Sequence, residues 1–121
     1  MEGKNSVGVA VIGTGRIGQL HIENITRFIP EAELMAIADV NPSSIEHVAK
    51  KFAIPTVSTD YLQLLDRSDI EAVVVCSSTD THAQIIQDSA QAGKHIFCEK
   101  PIDLDLERID QTLKIVDVAG V

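Results

Sequence analysis

Residues 7–18, VGVAVIGTGRIG, limit the folds open to this chain more than any other stretch. The apolar, β-branched run from Val7 to Ile12 predicts a strand buried in a parallel sheet. It leads into Gly13-Thr14-Gly15-Arg16-Ile17-Gly18, which fits G-x-G-x-x-G, and Ile17, Leu20, Ile25, Phe28 and Ile29 then recur at roughly helical spacing. The glycines thus sit where a strand turns into a helix. Gly13 permits the tight turn, Gly15 admits a pyrophosphate close to the backbone, and Gly18 lets the helix pack against the strand. The helix N-terminus adds unpaired N–H groups and partial positive charge.

Taken alone, this pattern also describes an ordinary glycine-rich turn. The next strand narrows the choice. This second apolar strand, Leu34 to Asp39, ends in an acid about twenty residues beyond Gly18, where an acid binding the adenosine ribose is expected. A plain strand-end or capping acid is the competing reading. Strand, glycine turn, helix, strand and acid together predict a dinucleotide site. A carboxylate accepts hydrogen bonds from a 2′-hydroxyl and repels a 2′-phosphate. Val40, Asn41 and Pro42 come directly after Asp39 with no arginine among them, which favours NAD over NADP as the cofactor.

Composition excludes several classes. With 121 residues the chain forms one domain, residues 1–121, large enough for a real core. No apolar run approaches the length of a membrane span, so no membrane partner is expected. Residues Met1 to Ser6 introduce no signal core distinct from the first strand, so a cytoplasmic location is expected. A formal net charge of −8, no basic run and only 3% aromatic residues disfavour nucleic acid. Cys76 and Cys98 fall in predicted strands, outside any C-x-x-C or zinc-like histidine spacing. No metal site is expected, and buried reduced thiols are favoured over a disulfide in a cytosolic compartment.

Along the chain, Pro30-Glu31-Ala32-Glu33 predicts a turn. Asn41-Pro42 marks a helix start, with Ser43-x-x-Glu46 a competing capping box, and Ile45, Val48, Ala49 and Phe52 form its inward stripe. Ile54-Pro55 breaks it. A short strand at Thr56-Val57-Ser58 precedes a short helix from Asp60 to Leu65, with Tyr61, Leu62, Leu64 and Leu65 read as core. Ile70 to Cys76 is a strongly apolar, central strand. The next helix carries Ile85, Ile86, Ala90 and Ala92. Gly93 is its left-handed cap, supported by Lys94 and His95 near the carbonyl end. His95 to Cys98 is the fifth strand. A last amphipathic helix, Asp105 to Ala119, carries Leu106, Ile109, Leu113, Val116 and Val118 and ends at Gly120.

Strands alternating with helices through short connections predict an α/β, doubly wound parallel sheet covered on both faces, a Rossmann fold of about five strands ending before the sixth. In such a sheet ligands lie outside the carboxyl ends of the strands. The loop Ser77-Ser78-Thr79-Asp80-Thr81-His82 lies at that edge, as do the glycine loop, Asp39 and Glu99-Lys100-Pro101. The hydroxyls of Ser77, Ser78 and Thr79 could cap the next helix or line a cofactor cleft, and both readings stand together. His82 reads either as a core or capping histidine or as part of the site. His21, one turn into the first helix, reads as packing or capping.

Three segments together resemble the Gfo/Idh/MocA oxidoreductase family: GTGRIGQLH at 13–21, SSTDTHAQ at 77–84 and AGKHIFCEKP at 92–101. Glu-Lys-Pro after the fifth strand is the most specific of them. Within the family, GTGRIGQLH and FCEKPIDLDLE look most like the bacterial inositol 2-dehydrogenase branch. The resemblance implies hydride transfer between a sugar or cyclitol hydroxyl, myo-inositol above all, and NAD. It implies that Gly13, Thr14, Gly15, Arg16 and Ile17 hold the pyrophosphate and Asp39 the adenosine ribose. Ser77, Ser78, Thr79 and His82 would line the path to the nicotinamide. Glu99 and Lys100 would sit beside that ring, with Lys100 catalytic. The family's Thr-Pro-Asn-x-x-His is Ser-Ser-Thr-x-x-His here. Ser78 in place of Pro loosens the loop, and Thr79 in place of Asn alters one polar contact.

Hydride loss from a carbinol requires removal of the hydroxyl proton and stabilisation of the emerging oxygen charge. A lysine in a partly dry cleft beside a cationic cofactor gives up its proton more readily, an effect that an adjoining Glu99 opposes. A solvated lysine at a strand end is the plainer alternative. The family places a further Asp and His, the polyol pocket and the homo-oligomer contacts in a second domain, which these residues do not include. An enzyme of this family and a non-catalytic NAD-binding sensor therefore both remain open, as does another two-domain dehydrogenase of the same broad fold.

Overall fold

A computed structural model of the chain describes residues 6–121; of the Met1 to Ser6 stretch, the first five residues lie outside the described residues. Five strands and five helices alternate: β1 (Val7–Ile12), α1 (Arg16–Phe28), β2 (Ala32–Ala38), α2 (Pro42–Phe52), β3 (Thr56–Ser58), α3 (Tyr61–Leu65), β4 (Ala72–Val75), α4 (Thr79–Gln91), β5 (His95–Cys98) and α5 (Leu106–Ala119). All pairings are parallel and the sheet order is β3-β2-β1-β4-β5. The chain builds outward from β1 to one edge, then crosses and builds to the other. The reversal falls between β1 and β4, which is where an open α/β sheet leaves a crevice.

Side chains of β1 alternate between the two faces. Val9 and Val11 join Ile22 and Ile25 of α1 and Ile45 and Val48 of α2. Ala10 and Ile12 join Leu64 and Leu65 of α3 and Ile85 of α4. Burial on both faces explains why β1 and β4 read as unbroken apolar runs rather than alternating ones. The two cysteines follow the same alternation: Cys76 packs on the α1 side and Cys98 on the α4 side. Both are free thiols.

Several expectations shift. β2 begins at Ala32, inside the predicted turn, because Val7 and Gly8 of β1 pair with Ala32 and Glu33. The strand predicted from Ile70 to Cys76 contracts to Ala72–Val75, although Glu71 and Cys76 still donate to the carbonyls of Gly8 and Ile12. β4 is interior, paired with β1 and β5, while β1 is the middle strand of the five. Asn41, not Ser43, caps α2: its side chain accepts from the Ser43 and Ser44 N–H groups, with Pro42 at the first helical position.

The inward stripe of α1 is Gly18, Ile22 and Ile25, while Ile17, Leu20, Phe28 and Ile29 are exposed. The close contact at Gly18 sets the rotation of this helix. Leu62 of α3 is also exposed. Gly93 is left-handed as expected, yet Lys94 turns inward and donates to the carbonyls of Arg67 and Ile70, at 2.7 Å each, instead of to the end of α4. On α5 only Thr112 is fully buried, and Leu106, Leu113 and Val118 remain exposed because the helix packs chiefly on α4.

Candidate functional site

The carboxyl ends of the strands bring the candidate residues to one edge in the order Thr59, Asp39, Gly13, Ser77, Glu99-Lys100, following the sheet from β3 to β5. A β-bulge aligns two of them. Val9 pairs with Leu34 but Ala10 pairs with Ala36, so Met35 is an extra residue in β2 and Ile12 reaches Ala38. Asp39 is thereby brought level with Gly13.

Each loop glycine answers a separate constraint. Gly13 has φ +99°, and a Cβ there would lie 2.5 Å from the Ser77 nitrogen. A Cβ on Gly18 would lie 1.9 Å from the Gly13 carbonyl oxygen. Gly15 is different. Its backbone is extended and a Cβ there would meet nothing within 4 Å. The protein itself does not require that glycine; the space in front of it is left open.

The helix ends show the same division. Asn41, Asp60 and Asp105 cap α2, α3 and α5 with side-chain hydrogen bonds. The helices that start beside the crevice, α1 at Gly15 and α4 at Ser78, have no side-chain cap. No side chain caps their first N–H groups, which face a common edge; of these the Thr81 N–H bonds the Ser78 carbonyl. Arg16 and Ile17 open α1 and are both exposed there.

Asp39 is half-buried and held by three donors. Its Oδ2 accepts from the Thr14 N–H at 2.7 Å and the Thr14 hydroxyl at 3.0 Å, and its Oδ1 accepts from the Asn41 N–H at 2.9 Å. Thr14, expected among the pyrophosphate ligands, is wholly buried with both of its donors committed to Asp39. Its N–H and hydroxyl are turned to the carboxylate rather than to the open side of the loop.

A cleft of about 470 Å³ opens beside Asp39 and Gly13. Val40, Tyr61 and Ile85 give the cleft apolar lining, and Ser77, Ser78 and Thr81 add hydroxyls to it. Neither Tyr61 nor Thr59 is among the site residues expected from the sequence. The place of Thr59 directly after β3 is a signal that could have found it. Tyr61 enters through α3, and its hydroxyl is drawn away to Asp88 at 2.5 Å. The hydroxyls of the β4–α4 loop do serve the loop itself: Thr81 donates to the Ser78 carbonyl, so its 2.7 Å contact with Ser77 is donated by Ser77. Thr79, the first residue of α4, is half-buried.

His82 is 1% exposed. Its Nδ1 lies 2.8 Å from the Pro101 carbonyl and its Nε2 lies 2.9 Å from the Ser77 carbonyl. The ring thus ties the β4–α4 loop to the turn after Lys100, and no ring nitrogen is left to face a ligand directly. Glu99 continues the β5 ladder, its N–H bonded to the Val75 carbonyl, and its carboxylate reaches His21 on α1. That hydrogen bond, above all, holds the Glu99 carboxyl below its ordinary value; burial works against it, while the Lys100 N–H and charge assist. Lys100 is exposed at the end of β5, and among the described residues it makes no ion pair.

Comparison with known proteins matches this arrangement. Residues 7–121 match the family described as "Oxidoreductase family, NAD-binding Rossmann fold". Inositol 2-dehydrogenase of Rhizobium meliloti is 42% identical over 111 residues, covering 92% of this chain and 33% of that protein. Myo-inositol 2-dehydrogenase of Thermotoga maritima is 38% identical over 113 residues, covering 93% and 34%. The crystal structure of scyllo-inositol dehydrogenase from Lactobacillus casei with bound NAD(H) and scyllo-inositol superposes with a TM-score of 0.89 at 33% identity, covering 95% and 34%. The chain spans about a third of the length of the relatives it matches. Among its described residues no helix is long and apolar enough to cross a membrane.

Proposed function

The chain belongs to the Gfo/Idh/MocA oxidoreductase family, and from that premise we propose that it is the NAD-binding domain of a dehydrogenase acting on a polyol, with myo-inositol or a related cyclitol as substrate. One observation carries the reading. The two helices beginning at the crevice are the two without side-chain caps, and the carboxylate at the end of neighbouring β2 stands level with the glycine loop. Uncapped N–H groups and the positive ends of two helices suit a diphosphate. The open space at Gly15 lets it approach. Asp39 offers accepting capacity to ribose hydroxyls, and the walls formed by Val40, Tyr61 and Ile85 suit an adenine ring.

Asp39 and Lys100 end strands three places apart in the sheet, roughly 14 Å at the usual strand spacing. When bound, the cofactor supplies the hydride acceptor. Lys100 then takes the substrate hydroxyl proton and stabilises the oxygen charge. Arg16 and Ile17 shape the approach to the diphosphate, and Ser77, Ser78 and Thr79 border the path toward Lys100. Thr14 and His82 act behind the surface, the first on Asp39 and the second on the Lys100 turn. The substrate pocket, the remaining acid–base groups and the homo-oligomer contacts are assigned to a second domain. A cytoplasmic location suits the two free thiols.

Calorimetry of this chain with NAD⁺ tests the reading. Binding with Kd in the micromolar-to-millimolar range, about that of nicotinamide enzymes, is expected. Asp39→Ala should weaken it roughly tenfold. Absence of any NAD⁺ binding would overturn it. In the full-length protein, Lys100→Ala should lower inositol-dependent kcat with NAD⁺ affinity kept. Unchanged turnover would instead favour a sensor without chemistry.

A further inference from the structure

We propose that Thr14 and Ser44 are positioning residues that set the preference for NAD over NADP by locking the carboxylate of Asp39. This inference rests on the proposed NAD-binding function.

Donors and acceptors fix the direction of each contact. The Asp39 carboxylate accepts only, so the 3.0 Å contact from Thr14 Oγ1 commits the threonine hydrogen to Oδ2. Thr14 Oγ1 also lies 2.6 Å from Ser44 Oγ. With the threonine hydrogen already committed, Ser44 is the donor in that contact. Its single hydrogen also lies within reach of the Thr14 carbonyl oxygen, at 3.2 Å. The hydrogen bonds therefore run in one direction, from Ser44 through Thr14 to Asp39. They join α2, the glycine loop and the end of β2.

This relay is sealed from solvent at its middle. Thr14 has no exposed surface, so water cannot replace either partner of its hydroxyl. Hydrogen bonds to a charged acceptor are stronger than those between neutral groups. Together with the Thr14 and Asn41 N–H groups they hold both carboxylate oxygens, with Oδ2 doubly occupied and Oδ1 keeping accepting capacity. Asp39 borders the cleft. A carboxylate fixed there accepts from a ribose 2′-hydroxyl and cannot swing aside for a 2′-phosphate. A loosened one can turn toward solvent, which weakens the first interaction and relieves the second repulsion.

Calorimetric titration of the chain with NAD⁺ and with NADP⁺ gives the ratio of the two affinities. Thr14→Val should lower the NAD⁺/NADP⁺ preference by about tenfold and Ser44→Ala by about threefold, in proportion to the lost charge-assisted and neutral hydrogen bonds. Thr14→Ser and Ser44→Thr keep the hydroxyls and should restore the wild-type ratio. In an Asp39→Asn background, Thr14→Val and Ser44→Ala should leave the ratio where Asp39→Asn alone puts it. Thermal melts identify any variant that fails to fold. Ser44 is only half-buried, so Ser44→Ala serves where Thr14→Val does not fold. A wild-type ratio in Ser44→Ala, or a full shift persisting without the Asp39 carboxylate, overturns the proposal. If the wild-type chain binds NAD⁺ and the variants give either result, the relay alone is defeated, whereas a wild-type chain that binds neither nucleotide removes the underlying reading as well.

Discussion

His21 Nε2 lies 2.7 Å from Glu99 Oε2, so the carboxylate preceding Lys100 is turned toward α1. The Phe97 ring packs edge-on against the same histidine, with ring centroids 5.4 Å apart. A histidine that its sequence position marks only for packing or capping therefore occupies the acid next to the candidate catalytic lysine.

The pH dependence of this pair follows from the lowered Glu99 carboxyl. Its ordinary value is 4.5, and the folded protein holds it lower, chiefly through the His21 hydrogen bond. A depressed carboxyl contributes stability that is present in full above the unfolded value and is lost as pH falls through the folded one. ¹³C-carboxyl NMR should show Glu99 titrating below pH 4.5 in the wild type and moving upward in His21→Leu. The same variant should flatten the fall in stability below that pH, and an unmoved Glu99 titration would contradict this account.

The loop glycines separate folding from binding. Gly18→Ala places a methyl 1.9 Å from a backbone oxygen, and Gly13→Ala adds a left-handed φ to a 2.5 Å clash. Each should destabilise the fold by about 2–4 kcal/mol in urea titrations. Gly15→Ala meets open space at an ordinary φ of −72°. It should fold with stability within about 1 kcal/mol of wild type. Its NAD⁺ affinity should nevertheless fall at least about tenfold, because the methyl occupies the approach to the diphosphate.

The thiols should be sluggish. Burial, foremost, and then the charge of Glu99 push Cys76 up to about 12 and Cys98 up to about 11. Alkylation at pH 8 should run on the order of a hundredfold slower in the folded chain than in urea, because the thiolate is the reacting form. Stability should also decline as pH rises above 9, where the unfolded thiols ionise and the folded ones do not. Mass spectrometry of the folded protein under oxidants should find no bond between Cys76 and Cys98, which pack on opposite faces of the sheet.

Lys94 marks a structural charge far from the ligand edge. It is 8% exposed and donates to two main-chain carbonyls, of Arg67 and Ile70. Lys94→Met keeps the apolar stem and leaves both carbonyls without that donor, at a cost of about 2–4 kcal/mol. Chemical denaturation should show the loss, and calorimetry should show NAD⁺ affinity unchanged.

Much of the fold is legible in the sequence because its signals are local. Gly13 and Gly18 announce a turn that no side chain could make, and the run from Val7 to Ile12 announces a strand buried on both faces. Asn41-Pro42, Gly93 and Gly120 mark helix ends through their own backbone preferences. Helix orientation is less legible. Leu20 and Phe28 fit a helical stripe as well as Ile22 does, and only the contact between Gly18 and Gly13 decides that Ile22 turns inward.

By itself, the order of residues determined the alternation of strands and helices, the glycine turn, and an acid one strand over from it. Those depend on chemistry within a few neighbours. Tertiary structure alone decided that Thr14 serves Asp39 and that His82 holds two loops instead of facing the cleft. It also decided that His21 takes Glu99. Each of these is a match between one donor and one acceptor from segments far apart in the chain. Such matches exist only once packing has set the positions of both atoms to within a hydrogen bond's length.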